Sequence, residues 1–187
     1  MKLLNALKHR LESLYACLKV ILRRSMKNAS NQNPGTTCSN MNEPRIVILH
    51  CAVTPDSKKK DPGFDRFGAE DIDRWHRRRG FDEIGYHYVI RRTGEIEQGR
   101  DPRRVGAHCE GYNYNSLGVC LMGTREFTVE QMESVFKLIR RFRIKYGIKI
   151  DRWYGHYEFN HRKDCPNIPM ICFRHLLRKG FDGNLTA

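Results

Sequence analysis

The chain has 187 residues, 40% hydrophobic and 29% charged, a water-soluble composition with room for one domain of ordinary size and a short appendage. Thirty-four basic against 21 acidic side chains leave a net charge of +13, which favours anionic partners but does not choose among nucleic acid, membrane surface and cell-envelope polymer. No stretch approaches the roughly 20 apolar residues that span a bilayer, and seven scattered cysteines do not make a disulfide framework.

Residues 1–28 form one unit. Leu4, Leu7, Leu11, Leu14, Leu18 and Ile21 recur in alternating steps of three and four, a helical seam. Lys2, Lys8, Arg10, Lys19, Arg23, Arg24 and Lys27 surround it against the single acid Glu12, giving a basic amphipathic helix. It packs its seam on the domain, pairs with a second copy, or lies on an anionic membrane surface, and periodicity does not separate these. Lys8, His9, Arg10 and Glu12 interrupt any apolar run of signal-peptide type. Residues 29–44 are polar, lack periodicity and read as a linker.

From residue 45 the pattern becomes that of one α/β domain, 45–187, with a mixed sheet flanked by helices. Residues 45–51 are a branched apolar run ending at a histidine, a buried strand. Residues 54–67 are loop, and 69–79 are a helix with Ile72, Trp75 and His76 on one face and Gly80 as its stop. Residues 86–91 alternate as a strand, and Thr93-Gly94 turns into a second at 95–97. Residues 117–122 read as another buried strand. The clearest helix is 128–146: Thr128 caps it with Gln131 three residues on, Val129, Met132, Val135, Phe136, Ile139 and Phe142 form its apolar stripe, and Gly147 ends it. Residues 153–156 are a strand end, and 170–179 a last helix after Pro169. Cys51, Cys120 and Cys172 are expected as small core residues.

His50, at the end of its strand, His156, after an aromatic strand and a glycine, and Cys165, in a polar loop, are candidate metal ligands. Two imidazoles and one thiolate leave a tetrahedral zinc with one open position, the catalytic arrangement. Spacing does not select this triplet, because eight histidines and seven cysteines allow many others.

The ordered pieces of 45–180 do select it. Ile48-Leu49-His50-Cys51-Ala52-Val53-Thr54, Arg74-Trp75-His76, Gly80-Phe81, Ile84-Gly85-Tyr86-His87-Tyr88-Val89-Ile90, Gly94, Gly99-Arg100, Gly106-Ala107-His108, Asn115-Ser116-Leu117-Gly118-Val119, Gly155-His156 and Lys163-Asp164-Cys165-Pro166 resemble the type-two N-acetylmuramoyl-L-alanine amidases. That family shares its fold with the peptidoglycan recognition proteins, and the likeness is greatest to the T-seven-phage-type lysozymes. The resemblance implies a zinc amidase that hydrolyses the bond between N-acetylmuramic acid and L-alanine in peptidoglycan, as a phage endolysin does. His50, His156 and Cys165 match the family's zinc ligands, one ion per chain. Tyr86 matches a tyrosine hydrogen-bonding at the metal-bound water, and Lys163 a lysine stabilising the oxyanion. His161, in the same loop as Cys165, is the alternative to His156. His76, His87 and His108 read as structural or cleft-lining, and Arg100 and Asn115 as weaker candidates for substrate contact. Asn167 stands where many members have glycine.

The expected partner is peptidoglycan, with anionic membrane or lipopolysaccharide contact through residues 1–28, no specific nucleic acid and no oligomeric state implied. Lacking an export signal, a phage enzyme would leave the host cytoplasm for the periplasm through holin lesions. Alternatives are a non-catalytic peptidoglycan-binding protein, a polymerase regulator, and a muropeptide-recycling amidase.

Overall fold

Strand β1 (Ile46–Cys51) is buried at all six positions, which requires strands on both its edges and cover on both its faces. It lies between β4 (Ser116–Leu121) and β5 (Trp153–Gly155), parallel to both. β4 pairs in parallel on its other edge with β2 (Tyr88–Ile90), and β3 (Ile96–Gln98) closes that side antiparallel to β2. The order β3-β2-β4-β1-β5 is the expected mixed sheet, with the carboxyl ends of its four parallel strands along one edge. The structure is a computed structural model and describes residues 41–182; the basic segment 1–28 and the linker up to residue 40 lie outside the described residues.

Alternation along β1 divides the interior. Val47 and Leu49 face one side, where α2 (Val129–Tyr146) and α3 (Met170–Asp182) supply Val135, Leu138, Ile139, Phe142, Met170 and Phe173. Ile46 and Ile48 face the other, against Cys109, Tyr112, Tyr154 and Phe159. Beside them α1 (Ala69–Arg78) seats Ile72 on Val89, Cys120 and Met122.

The caps of α2 are those expected: Thr128 accepts from the Gln131 amide at 3.1 Å, the Thr128 amide donates to Gln131 Oε1 at 3.0 Å, and Gly147 ends the helix at φ 69°. Its buried stripe is shifted. Val129 is 55% exposed and Phe136 37%, whereas Gln131 is fully buried, its amide donating to Ile90 O and Met122 O at 3.2 and 2.8 Å. A buried glutamine satisfied by strand carbonyls sets the helix's rotation, which an apolar count overlooks. Asn42, within the segment read as linker, is buried and donates to Pro102 O and Ser116 O, both at 3.0 Å.

Candidate metal centre and cleft

β1 and β5 run parallel with Leu49 opposite Gly155, so the residues that follow this pair, His50 within β1 and His156 in the turn after β5, emerge side by side at the carboxyl edge. Their rings lie 4.7 Å apart. Cys165 returns to them through a loop pinned by the Tyr157 amide on Cys165 O at 2.9 Å. Its sulfur accepts from the Cys51 amide at 3.1 Å and lies 3.9 Å from His50 Nδ1. The ligand atoms of His50, His156 and Cys165 all fall within 4.8 Å of one another. His161, the alternative, is exposed and stands outside this triplet.

Two local features build the loop. A Cβ on Gly155 would come within 2.9 Å of Pro166, so only glycine lets β5 and the cysteine loop meet. Asn167 holds φ 62° and donates from Nδ2 to Thr124 O at 2.8 Å. Asparagine is among the few non-glycine residues that tolerate this left-handed angle, which accounts for its place where glycine is common.

Burial first, then the neighbouring histidines, holds His50 well below the usual imidazole range; burial and then Lys163 lower His156. Both are neutral, with lone pairs available, at neutral pH. A thiol hydrogen bond between Cys51 and Cys165 pulls Cys51 down to about 7 and, with burial, pushes Cys165 up. The pair thus offers one thiolate near neutral pH. A cation beside the two imidazoles draws that charge to Cys165, whose sulfur already receives a backbone N–H. Two imidazoles and a thiolate, open to a cleft on the remaining side, are a donor set that zinc prefers.

The cleft, about 590 Å³, is lined by Trp75, Arg79, Phe81, Tyr86, His108 and Lys163 together with the triplet's His156 and Cys165. The Tyr86 ring lies 4.9 Å from that of His50, tilted by 50°, and burial raises its phenol well above the ordinary range, so it remains a donor. Lys163 is exposed at the cleft and depresses His156 by its charge. Arg79 lies over the Phe81 ring at 5.3 Å. Neither cation enters an ion pair among the described residues.

Other expectations resolve differently. Arg100 is no substrate contact: it is buried, donating to Ile84 O and Val105 O at 2.9 and 2.7 Å and pairing with Glu83. Asn115 anchors the start of β1, its carbonyl accepting from the Arg45 amide at 2.8 Å. His87 is buried, accepting from the Gly118 amide and facing Arg104 O, a structural histidine as expected. Cys51 lies against Cys165 at the cleft and is not a plain core residue. The cleft residues Arg79 and Asn113 carry no sequence signal of their own, Arg79 only adjoining the Gly80-Phe81 motif, whereas Val53 belongs to the first of the ordered pieces.

An α/β sheet with a His-His-Cys cluster at its carboxyl edge defines the class: a domain with a three-donor, metal-type centre open to a cleft. Residues 40–168 match the N-acetylmuramoyl-L-alanine amidase family, and the chain belongs to it. The endolysin of Escherichia phage T7 is 35% identical over 132 residues, covering 66% of this chain and 81% of the relative. Among solved structures, the N-acetylmuramoyl-L-alanine amidase LysC from Clostridium intestinale URNW superposes with a TM-score of 0.63 at 28% identity, over 80% of this chain and 95% of that one. Peptidoglycan recognition protein LE, solved with a monomeric diaminopimelic acid-type peptidoglycan, gives 0.58 at 25% identity, over 72% of this chain and 81% of that one.

Proposed function

We propose that this N-acetylmuramoyl-L-alanine amidase works with one zinc ion held by His50, His156 and Cys165, and acts as a phage endolysin on the host cell wall. One observation carries the reading: three donors suited to zinc converge within 4.8 Å beside a cleft, in a chain of the amidase family. Bound there, zinc supplies Lewis acidity toward the scissile carbonyl and toward water.

The chain's own residues do the rest. The neutral imidazoles of His50 and His156 present lone pairs, and Cys165 brings the negative charge. Tyr86, protonated throughout the physiological range, offers a hydrogen bond to oxygen that becomes negative as the amide is attacked. Lys163 places an ammonium at the same cleft for the same charge. Each such donor commonly contributes on the order of 100-fold or more in rate. Hydrolysis adds hydroxyl to the lactyl carbonyl carbon and a proton to the alanyl nitrogen. The products are an uncut glycan strand and a peptide with a free L-alanine amino terminus. Apolar Trp75 and Phe81 with the cations Arg79 and Lys163, unpaired among the described residues, suit a stem peptide bearing carboxylates.

The basic amphipathic pattern of residues 1–28 supports contact with anionic lipid or lipopolysaccharide once the enzyme leaves the host cytoplasm through membrane lesions. Deleting residues 1–40 is then expected to weaken binding to anionic liposomes and killing of intact cells. If both persist undiminished, that role is withdrawn.

Digestion of purified sacculi tests the reaction. The expected result is soluble peptide with new L-alanine amino termini and no new reducing sugar ends. Reducing ends without amino termini would contradict it, and cleavage of small muropeptides alone would favour the recycling alternative.

A further inference from the structure

Proton placements around His50 follow from a chain of buried hydrogen bonds. The Ser116 hydroxyl lies 2.7 Å from Tyr112 O, a pure acceptor, so its proton is committed there. The same oxygen lies 3.3 Å from His108 Nε2 and has only lone pairs to offer, which seats the His108 proton on Nε2. Neutral His108 then presents a bare Nδ1, 3.0 Å from His50 Nε2. That contact needs a proton, and His50 Nε2 supplies it. The remaining nitrogen of His50, Nδ1, is left bare, and it is the one facing Cys165 Sγ at 3.9 Å.

The His108 ring cannot easily adopt another pose. Its amide and that of Cys109 both donate to Asn113 Oδ1, at 2.8 and 2.9 Å. A Cβ at Gly118 or Gly106 would come within 2.5 or 2.6 Å of His108 Cδ2, so both glycines leave space that this imidazole occupies. His50, His108 and Ser116 are 1%, 9% and 0% exposed, which leaves little room for water to substitute.

We infer that His108 is a positioning residue: with Ser116 it locks His50 in the tautomer and orientation that aim Nδ1 at the metal position. This deepens the zinc reading and rests on His50 being a ligand. Fixing of a ligating imidazole by an outer partner typically changes metal affinity 10- to 100-fold. His108→Leu removes the acceptor, whereas His108→Asn returns an acceptor oxygen near the position of Nδ1.

Two measurements on the full chain test it. Long-range proton–nitrogen NMR of the ring nitrogens in zinc-free protein is expected to show protonated Nε2 and bare Nδ1 on both His50 and His108. A proton on His50 Nδ1 would overturn the inference whether or not zinc binds. In competition with a chromogenic chelator, His108→Leu is expected to bind zinc about 10- to 100-fold more weakly and His108→Asn to recover most of the loss. Affinity equal to wild type in the leucine variant, or asparagine no better than leucine, would overturn it. Should the leucine variant not fold, Ser116→Ala serves: weaker zinc binding with the fold retained supports the lock, and unchanged affinity refutes it. A wild-type chain that binds no zinc would instead sink the zinc reading, leaving the NMR result to judge the lock.

Discussion

Replacing Gly118 by alanine perturbs the centre without touching a proposed ligand. Gly118 lies inside β4 at an ordinary strand backbone angle, so alanine adds no backbone strain. Its Cβ, however, would stand 2.5 Å from His108 Cδ2, 2.6 Å from Cγ and 2.8 Å from Nε2. Carbon atoms pack at about 3.5–4.0 Å, so the imidazole must recede by about 1 Å, away from a ring position held by Ser116 and His50 on a backbone pinned by Asn113. Overpacking of this kind costs about 1–3 kcal/mol. We therefore expect the zinc-free Gly118→Ala chain to lose about that much stability in urea unfolding, and its zinc affinity to fall about 10-fold or more as the 3.0 Å contact with His50 is disturbed. An alanine variant as stable as wild type would refute the packing reasoning. One that is destabilised yet binds zinc normally would show that the His108 pose is immaterial to the centre.

Three further outcomes follow. Lys163→Met and Tyr86→Phe are each expected to lower kcat roughly 100-fold or more with zinc content intact by atomic emission; a variant with full turnover has no part in stabilising the oxyanion. Burial lowers His87 to about 4 in the fold, against about 6.5 when unfolded, so the unfolded chain binds more protons as pH drops. Zinc-free stability is thus fully present above about 6.5 and declines toward pH 4, this group alone removing up to about 3 kcal/mol; urea midpoints that stay flat between pH 7 and 4.5 would contradict it. At the left-handed position 167, Asn167→Gly loses the Thr124 hydrogen bond, about 1 kcal/mol, and a longer contact with Cys51 Sγ at 3.7 Å, whereas Asn167→Val loses both and adds about 1–2 kcal/mol of backbone strain, and their thermal midpoints should rank accordingly.

What was legible in the sequence is what local pattern encodes. A strand buried throughout is mostly apolar, so the runs at 46–49 and 117–121 mark β1 and β4, and a histidine near the end of β1 marks the sheet's carboxyl edge. The Thr128–Gln131 box and Gly147 mark α2 because capping acts over three or four residues. The triplet's convergence was not visible in spacing, since His50 and Cys165 meet across 115 positions; only the ordered family pattern drew them together. Partners at long separation explain the misses as well. Gln131 turns α2 through carbonyls of β2 and of the residue after β4, Arg100 spends its donors on Ile84 and Val105, and Cys51 joins the centre through Cys165. His108 reads as structural or cleft-lining in sequence, and it does line the cleft; a finer role depends on which of its nitrogens carries a proton, and that is set by Ser116 and Tyr112.

The most direct test of the account is the zinc content of the purified chain, measured beside peptide release from peptidoglycan for wild type and Cys165→Ser. We predict one zinc per wild-type chain with release of peptide, and loss of both in the serine variant with the fold intact by circular dichroism. A wild-type chain that binds peptidoglycan without zinc and without cleavage, or a serine variant that keeps both metal and activity, would contradict the central claim that His50, His156 and Cys165 form the metal centre.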